Sequence, residues 1–191
     1  MRWRLLPQAA FRAMPWRNGG GTTWEIAQGF FGPGESGGEG GGEGWHWRLS
    51  RAEIGEDGPF SVFPHIDRVL TVIDGAGISL RLDGGAPRTL YTGDDIRFAG
   101  EVSVGCILVD GPTRDLNLMV DRRAARFRTD GPMIATEGAV LLLYAFEDVV
   151  VAMGQERMTV LAGDAAVGEG GSAALVSGRA FWAIISPRDA A

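Results

Sequence analysis

A chain of 191 residues is long enough to bury a sizeable core, as one large domain or as two fused small ones. With 45% hydrophobic and 22% charged residues the composition is ordinary for a globular protein, and a formal charge of −6 argues against nucleic acid and anionic membrane surfaces as partners, since both reward basic patches. A single cysteine, Cys106, excludes an intramolecular disulfide framework, and its place in the apolar run Val102 to Val109 suits a buried, inert thiol.

Met1 to Phe11 mixes Arg2 and Arg4 with Trp3, Leu5 and Leu6 and lacks the continuous apolar stretch of a signal peptide. No later segment approaches the length of a membrane helix, so a cytoplasmic location is the expectation. Met14 to Ile26, MPWRNGGGTTWEI, follows. Its three glycines after Asn18 permit close backbone approach, and Thr23 and Glu25 then alternate with Trp24 and Ile26, giving a strand with one polar face. No Gly-Lys-Ser/Thr follows, so this is not a phosphate loop. Gly32 to Gly44 holds eight glycines and three glutamates and nothing apolar, which predicts a mobile surface loop that burial cannot order.

Trp45 to Ile54, WHWRLSRAEI, alternates as a strand: Arg48, Ser50 and Ala52 share one face, Trp47, Leu49 and Arg51 the other. Asp57 to Arg68, DGPFSVFPHIDR, reads as a structured loop over a barrel mouth, with Phe60 and Phe63 as core plugs. Arg68 to Leu82 contains two β-rich segments around Asp74-Gly75-Ala76-Gly77, the pattern of a hairpin. Asp121 to Phe127 is the best candidate helix, or else an edge strand. Val140 to Phe146 and Val149 to Met153 suggest a further strand pair, and Ala180 to Ser186 a last buried strand. Thirty glycines punctuating short apolar runs point to an all-β chain.

Thr89-Leu90-Tyr91-Thr92-Gly93-Asp94 is echoed by Thr159-Val160-Leu161-Ala162-Gly163-Asp164. In both, strands lead into a Gly-Asp turn, which suggests two small barrels.

A lumen lined by Asn18, Thr23, Glu25, Arg48, Ser50 and Arg68 has the chemistry of a binding site for a small polar, carboxylate-bearing metabolite. Arginine grips a carboxylate with two donors, the hydroxyl and amide groups fix orientation, and Glu25 neutralises an arginine or meets a cationic ligand group. A salt-bridged cluster that only stabilises the barrel fits the same residues. So does a metal-independent isomerase or hydrolase with Glu25 as general base and Arg48 as charge stabiliser. His46 and His65 lie in separate segments and could reach a metal only with Glu25 or Glu53 beside them, so neither a metal nor a cofactor is expected. The basic run Arg122, Arg123, Arg126 and Arg128 reads as a solvated edge that resists aggregation.

Four co-ordered segments, PWRNGGGTTWEI, WRLSRAEI, GPFSVFPHIDRVLTVIDGAGISL and DLNLMVDRR (Asp115 to Arg123), resemble the hallmarks of the HutD/Ves family. The resemblance implies a cupin-like double barrel, or bicupin, associated with histidine utilisation and with binding or sensing a metabolite such as urocanate or formiminoglutamate. The chain is expected to form one compact unit over 1–191, with a first barrel at roughly 14–120 and a second at 121–191 that takes a strand from the N-terminus. A homodimer stays open. The chain departs from the family at the Gly/Glu-rich loop, 32–44, and at His65, where a glycine is usual.

Overall fold

The structure is a computed structural model that describes residues 2–16, 19–32 and 44–188. In chain order its strands are β1 (Arg2–Leu6), β2 (Arg12–Pro15), β3 (Gly21–Gly29), β4 (Trp47–Ile54), β5 (Gly58–Pro59), β6 (Ile66–Asp74), β7 (Ile78–Leu82), β8 (Arg88–Leu90) and β9 (Asp95–Ala99). They continue with β10 (Val104–Leu108), β11 (Thr113–Asp121), β12 (Ala125–Arg128), β13 (Ile134–Ala145), β14 (Val149–Met153), β15 (Glu156–Val160), β16 (Ala165–Ser172), β17 (Ala174–Ser177) and β18 (Ala180–Pro187). One 3₁₀ turn at Gln8–Ala10 is the helical content among the described residues. The fold is the all-β, cupin-like double barrel that the sequence predicts.

The chain divides into two compact units, one of Arg12–Arg123 and one of Met1–Phe11 with Ala124–Ala191. In the Arg12–Arg123 unit a six-stranded sheet, β2-β3-β4-β11-β6-β9, is accompanied by a four-stranded sheet, β5-β10-β7-β8. Every pairing is antiparallel. Ile54, Leu70, Val72, Ile96 and Phe98 of the larger sheet pack with Ile78, Leu80, Leu90, Val104 and Cys106 of the smaller one. The other unit has a five-stranded sheet, β1-β16-β13-β18-β12, and a three-stranded sheet, β15-β14-β17. Its hydrophobic cluster sets Leu141, Leu143, Ala166 and Ile184 against Val149, Val151 and Val160.

Two strand pairs read from the sequence are not pairs. β6 and β7 flank Asp74-Gly75-Ala76-Gly77 but belong to different sheets, and so do β13 and β14. The turn residues are those of a hairpin, yet the chain crosses from one sheet to its companion. Period-2 alternation gives the same pattern for both connections, and only the companion sheet decides between them. Gly77 is required in that crossing: its φ is 108°, and a Cβ there would stand 2.4 Å from the Leu90 carbonyl oxygen. Asp121 to Phe127 is not a helix, because β11 runs to Asp121 and a three-residue turn leads into β12.

The echoed turns are one structure used twice. Gly93 N–H donates to Val72 O and Val72 N–H to Asp94 O, at 2.8 and 3.0 Å. Gly163 N–H donates to Ala145 O and Ala145 N–H to Asp164 O, at 2.9 and 3.0 Å. Each Asp N–H also closes its turn on the carbonyl three residues back. The side chains differ: Asp94 accepts from Tyr91 N–H within its own turn, whereas Asp164 accepts from Gln8 N–H.

Candidate functional site

Leu70 and Val72 pack with residues of the four-stranded sheet, so the face they occupy is the lumen face of the larger sheet. Register then fixes the rest. Val72, Leu70 and Arg68 on β6 stand opposite Asp115, Asn117 and Met119 on β11. Those stand opposite Ala52, Ser50 and Arg48 on β4, and Ser50 and Ala52 in turn face Glu25 and Thr23 on β3. The structure therefore brings Thr23, Glu25, Arg48, Ser50 and Arg68 to one face. Asn18 lies outside the described residues, as do residues 33–43 of the glycine-glutamate segment. The close approach expected of the glycines is seen at Gly21, where a Cβ would meet Glu53 O at 2.3 Å and the Trp16 ring at 2.9 Å.

At one end of this face Glu25 is held by two cations. Its Oε1 accepts from Arg12 Nη2 at 3.1 Å, and its Oε2 lies 3.2 Å from Arg48 Nε, an ion pair without hydrogen-bond alignment. Arg12 is exposed, but the Glu25 and Arg48 side chains are only 15% and 13% exposed. Beyond Nε, Arg48 meets only the thioether of Met14 among the described residues, with Nη2 4.0 Å from Sδ. Thr23 Oγ1 accepts from Trp16 Nε1 at 2.8 Å. Ser50 is buried between Glu25 and Asn117 in the register.

Arg68 flanks Met119 on the side opposite Arg48, so the two guanidinium-bearing strands are roughly 10 Å apart at about 4.8 Å per strand. It is 5% exposed. Its guanidinium carbon lies 4.8, 5.5 and 5.7 Å from the ring centres of Phe98, Phe63 and Phe60, and Nε donates to Asn117 Oδ1 at 3.3 Å. Phe60 and Phe63, read as plugs, thus form the apolar lining of a buried cation. Aromatic faces contribute up to about 2 kcal/mol to a desolvated cation. Burial still pulls the Arg68 pKa down to about 10, against the raising influence of Asp115, so the group stays charged at neutral pH.

Asp115 and Asn117 are the lumen residues that the sequence reading missed. Asp115 is 2% exposed and its Oδ1 has no hydrogen-bond partner among the described residues. Desolvation pushes its carboxyl up to about 7, opposed by the charge of Arg68 and by a hydrogen bond with Asn117. The signal was available in DLNLMV, where polar residues recur every second position inside an apolar run. Cys106 faces the same interior, and its thiol is pushed up to about 12, first by burial and then by Asp115 and Asp57. It is an inert thiol at neutral pH.

The histidines do other work. His46 Nδ1 accepts from Phe31 N–H at 2.9 Å, and its ring packs beside Phe30 and Phe31. His65 has φ 67°, in the left-handed region that glycine enters without steric cost. Its N–H donates to Glu101, whose carboxyl is held down to about 2 by the Arg122 guanidinium and then by this bond. Among the described residues no three His, Cys, Asp or Glu side chains are grouped to hold a metal. The basic run ends on β12, an edge strand of its sheet, as expected, and three of its arginines are engaged in pairing. Arg122 pairs with Asp67 and Glu101, Arg123 with Asp121, and Arg128 donates to three backbone carbonyls.

Comparison with known proteins matches the HutD family model to residues 8–183. An uncharacterised 21.2 kDa protein in the hutC 3′ region of Pseudomonas putida is 39% identical over 155 residues, 78% of this chain and 77% of that protein. Protein Ves of Cronobacter sakazakii is 40% identical over 113 residues, 58% of this chain and 56% of its own length. The solved structure of HutD from Pseudomonas fluorescens SBW25 superposes with a TM-score of 0.81 at 31% identity, covering 98% of this chain and all of that one. No described helix is long and apolar enough to cross a membrane. The chain belongs to the HutD family.

Proposed function

From membership of the HutD family and from the chemistry of this lumen, we propose that the protein binds a small carboxylate-bearing metabolite as a binding or regulatory component of amino-acid breakdown. The observation that carries the reading is Arg48. Glu25 holds it through Nε on the lumen face, and its terminal nitrogens meet only a sulfur atom among the described residues. A guanidinium held in place with its outer donors unspent suits a carboxylate. Arg68, across β11, supplies a second cation, and Ser50 and Asn117 between them supply neutral donors and acceptors. The P. putida relative beside hutC supports a ligand from histidine breakdown, such as urocanate or formiminoglutamate.

The metal-independent enzyme reading loses its base at Glu25, because that carboxylate is clamped by Arg12 and Arg48. If the protein has an acid–base group, Asp115 is the better placed carboxyl.

Thermal-shift screening of histidine-pathway carboxylates tests the proposal, since a ligand bound only by the native state raises its melting temperature. Arg48→Ala should remove the response, a loss of about 2–5 kcal/mol of binding. The unliganded variant should lose only about 1 kcal/mol, because Glu25 keeps Arg12 as partner. An intact ligand response in Arg48→Ala would return the cluster to a structural role.

A further inference from the structure

The carboxyl group of Asp115 is deeply buried, leaves Oδ1 unpartnered, and belongs to no ion pair within the described residues. It is still connected to the cation of the site. Asn117 accepts from Arg68 Nε through Oδ1 and bonds to Asp115, so the three side chains form a chain along one face. We propose that Asp115 is a proton-bearing contact of the ligand site, donating its O–H to an anionic ligand, so that binding a small carboxylate takes up a proton from solvent. This rests on the anion-binding reading above.

Charge balance favours this assignment. Glu25 already offsets the charge of Arg48, whose outer donors stay available to the ligand, so Arg68 is the cation whose charge an incoming anion is left to balance. An ionised Asp115 would share Arg68 with that anion and repel it across a low-dielectric interior. A neutral Asp115 removes the repulsion and turns its orphaned oxygen into a donor, and a bond from a neutral acid to a carboxylate is of the strong, charge-assisted kind. The proton comes from water and rests on the Asp115 carboxyl; no other bond changes.

The groups facing Asp115 do not supply a competing titration. From β6 comes Arg68, charged throughout the neutral range. From β10 comes Cys106, a thiol that stays protonated well above neutrality. Across the register on β4 stands Ala52, with Ser50 next on that face, and on β11 itself stands Asn117; none of these titrates. Asp57 reaches Cys106 from beyond and is not among the groups acting on Asp115. With the carboxyl poised near 7, the acid form is available at neutral pH and lost in mild base.

The test uses the full chain with acetate as probe, its dissociation constant read from amide chemical shifts at pH ~6 and pH ~8.5. If only the protonated form binds, the apparent constant rises by the inverse of the competent fraction, about 30-fold over this interval. Asp115→Asn keeps a neutral donor of the same shape, so its acetate affinity should be flat with pH. A carboxyl-carbon titration of wild type should show the Asp115 midpoint moving up when acetate is saturating. A pH-independent wild-type affinity overturns the proton-bearing role and leaves the anion-binding reading standing. Methylammonium that binds more tightly as pH rises overturns it too, by making Asp115 a carboxylate for cations. No acetate binding at either pH overturns both.

Discussion

The two units use the same turns and nearly the same strand pairings to build opposite interiors. Because Val72 and Ala145 close equivalent Gly-Asp turns, the positions behind them correspond. Arg68 and Leu70 on β6 match Leu141 and Leu143 on β13. Their partners Asp115, Asn117 and Met119 on β11 match Ala180, Trp182 and Ile184 on β18. One strand further out, Arg48 on β4 matches Arg128 on β12. Arg128 lies over the Trp182 ring and gives its donors to the carbonyls of Asp130, Pro132 and Ile134. Among the described residues Arg48 has no such sink, its Nη2 reaching only Met14 Sδ. Among the described residues the Met1–Phe11 and Ala124–Ala191 unit packs an apolar cluster and leaves Trp3 Nε1 as its buried side-chain donor without a partner, whereas the Arg12–Arg123 unit, which buries Arg68, leaves Asp115 Oδ1 and Thr71 Oγ1 unpaired. Buried polar groups are stabilising only when fully paired, so reserve of this kind is what the proposed anion binding would draw on.

The hardest break of that comparison is to move the cation across. Leu141→Arg places a guanidinium where Arg68 has its counterpart, but Ala180 and Trp182 offer it neither carboxylate nor amide. An uncompensated buried charge should lower stability by about 3–5 kcal/mol, read by chemical denaturation. The reverse change is gentler. Arg68→Met leaves Asp115 without a counter-charge, but that carboxyl evades the penalty by keeping its proton. Below neutral pH the loss should stay within roughly 2 kcal/mol, while any carboxylate-induced thermal shift disappears. A collapse of Arg68→Met comparable to that of Leu141→Arg would make Arg68 structural.

The pH dependence of stability sharpens the contrast. The unfolded chain releases the Asp115 proton near its ordinary 3.8, whereas the folded chain holds it to about 7. Between these values the native state binds more protons, so the contribution is fully present below 3.8 and is lost as pH rises through about 7. Asp115→Asn should abolish this decline in urea titrations across the window. The apolar cluster of the other unit contains no ionisable side chain, so it adds no such slope. The smallest effect is expected at His65, whose left-handed backbone costs about 1–2 kcal/mol, partly offset by the unfolded-state entropy of glycine. His65→Gly should raise stability by roughly 0.5 kcal/mol, visible as a small increase in melting temperature.

Much of this was legible beforehand. Turn chemistry and period-2 runs determined the all-β class, and the Gly93-Asp94 and Gly163-Asp164 echo marked the repeated architecture, because such turns are specified by a few neighbouring residues. Alternation likewise placed Arg48 with Ser50 and Thr23 with Glu25. What local pattern did not determine was the partner across space. β11 is buried on both faces, so alternation alone did not say that Asp115 and Asn117, and not Leu116 and Leu118, face the lumen. Nor did the glycines of 74–77 say which sheet β7 would join. Those choices depend on register and on which sheet lies opposite. The same tertiary arrangement leaves one buried arginine lined by phenylalanines and one buried carboxyl with an oxygen unpaired, a difference that burial and long-range pairing create and a single strand does not encode.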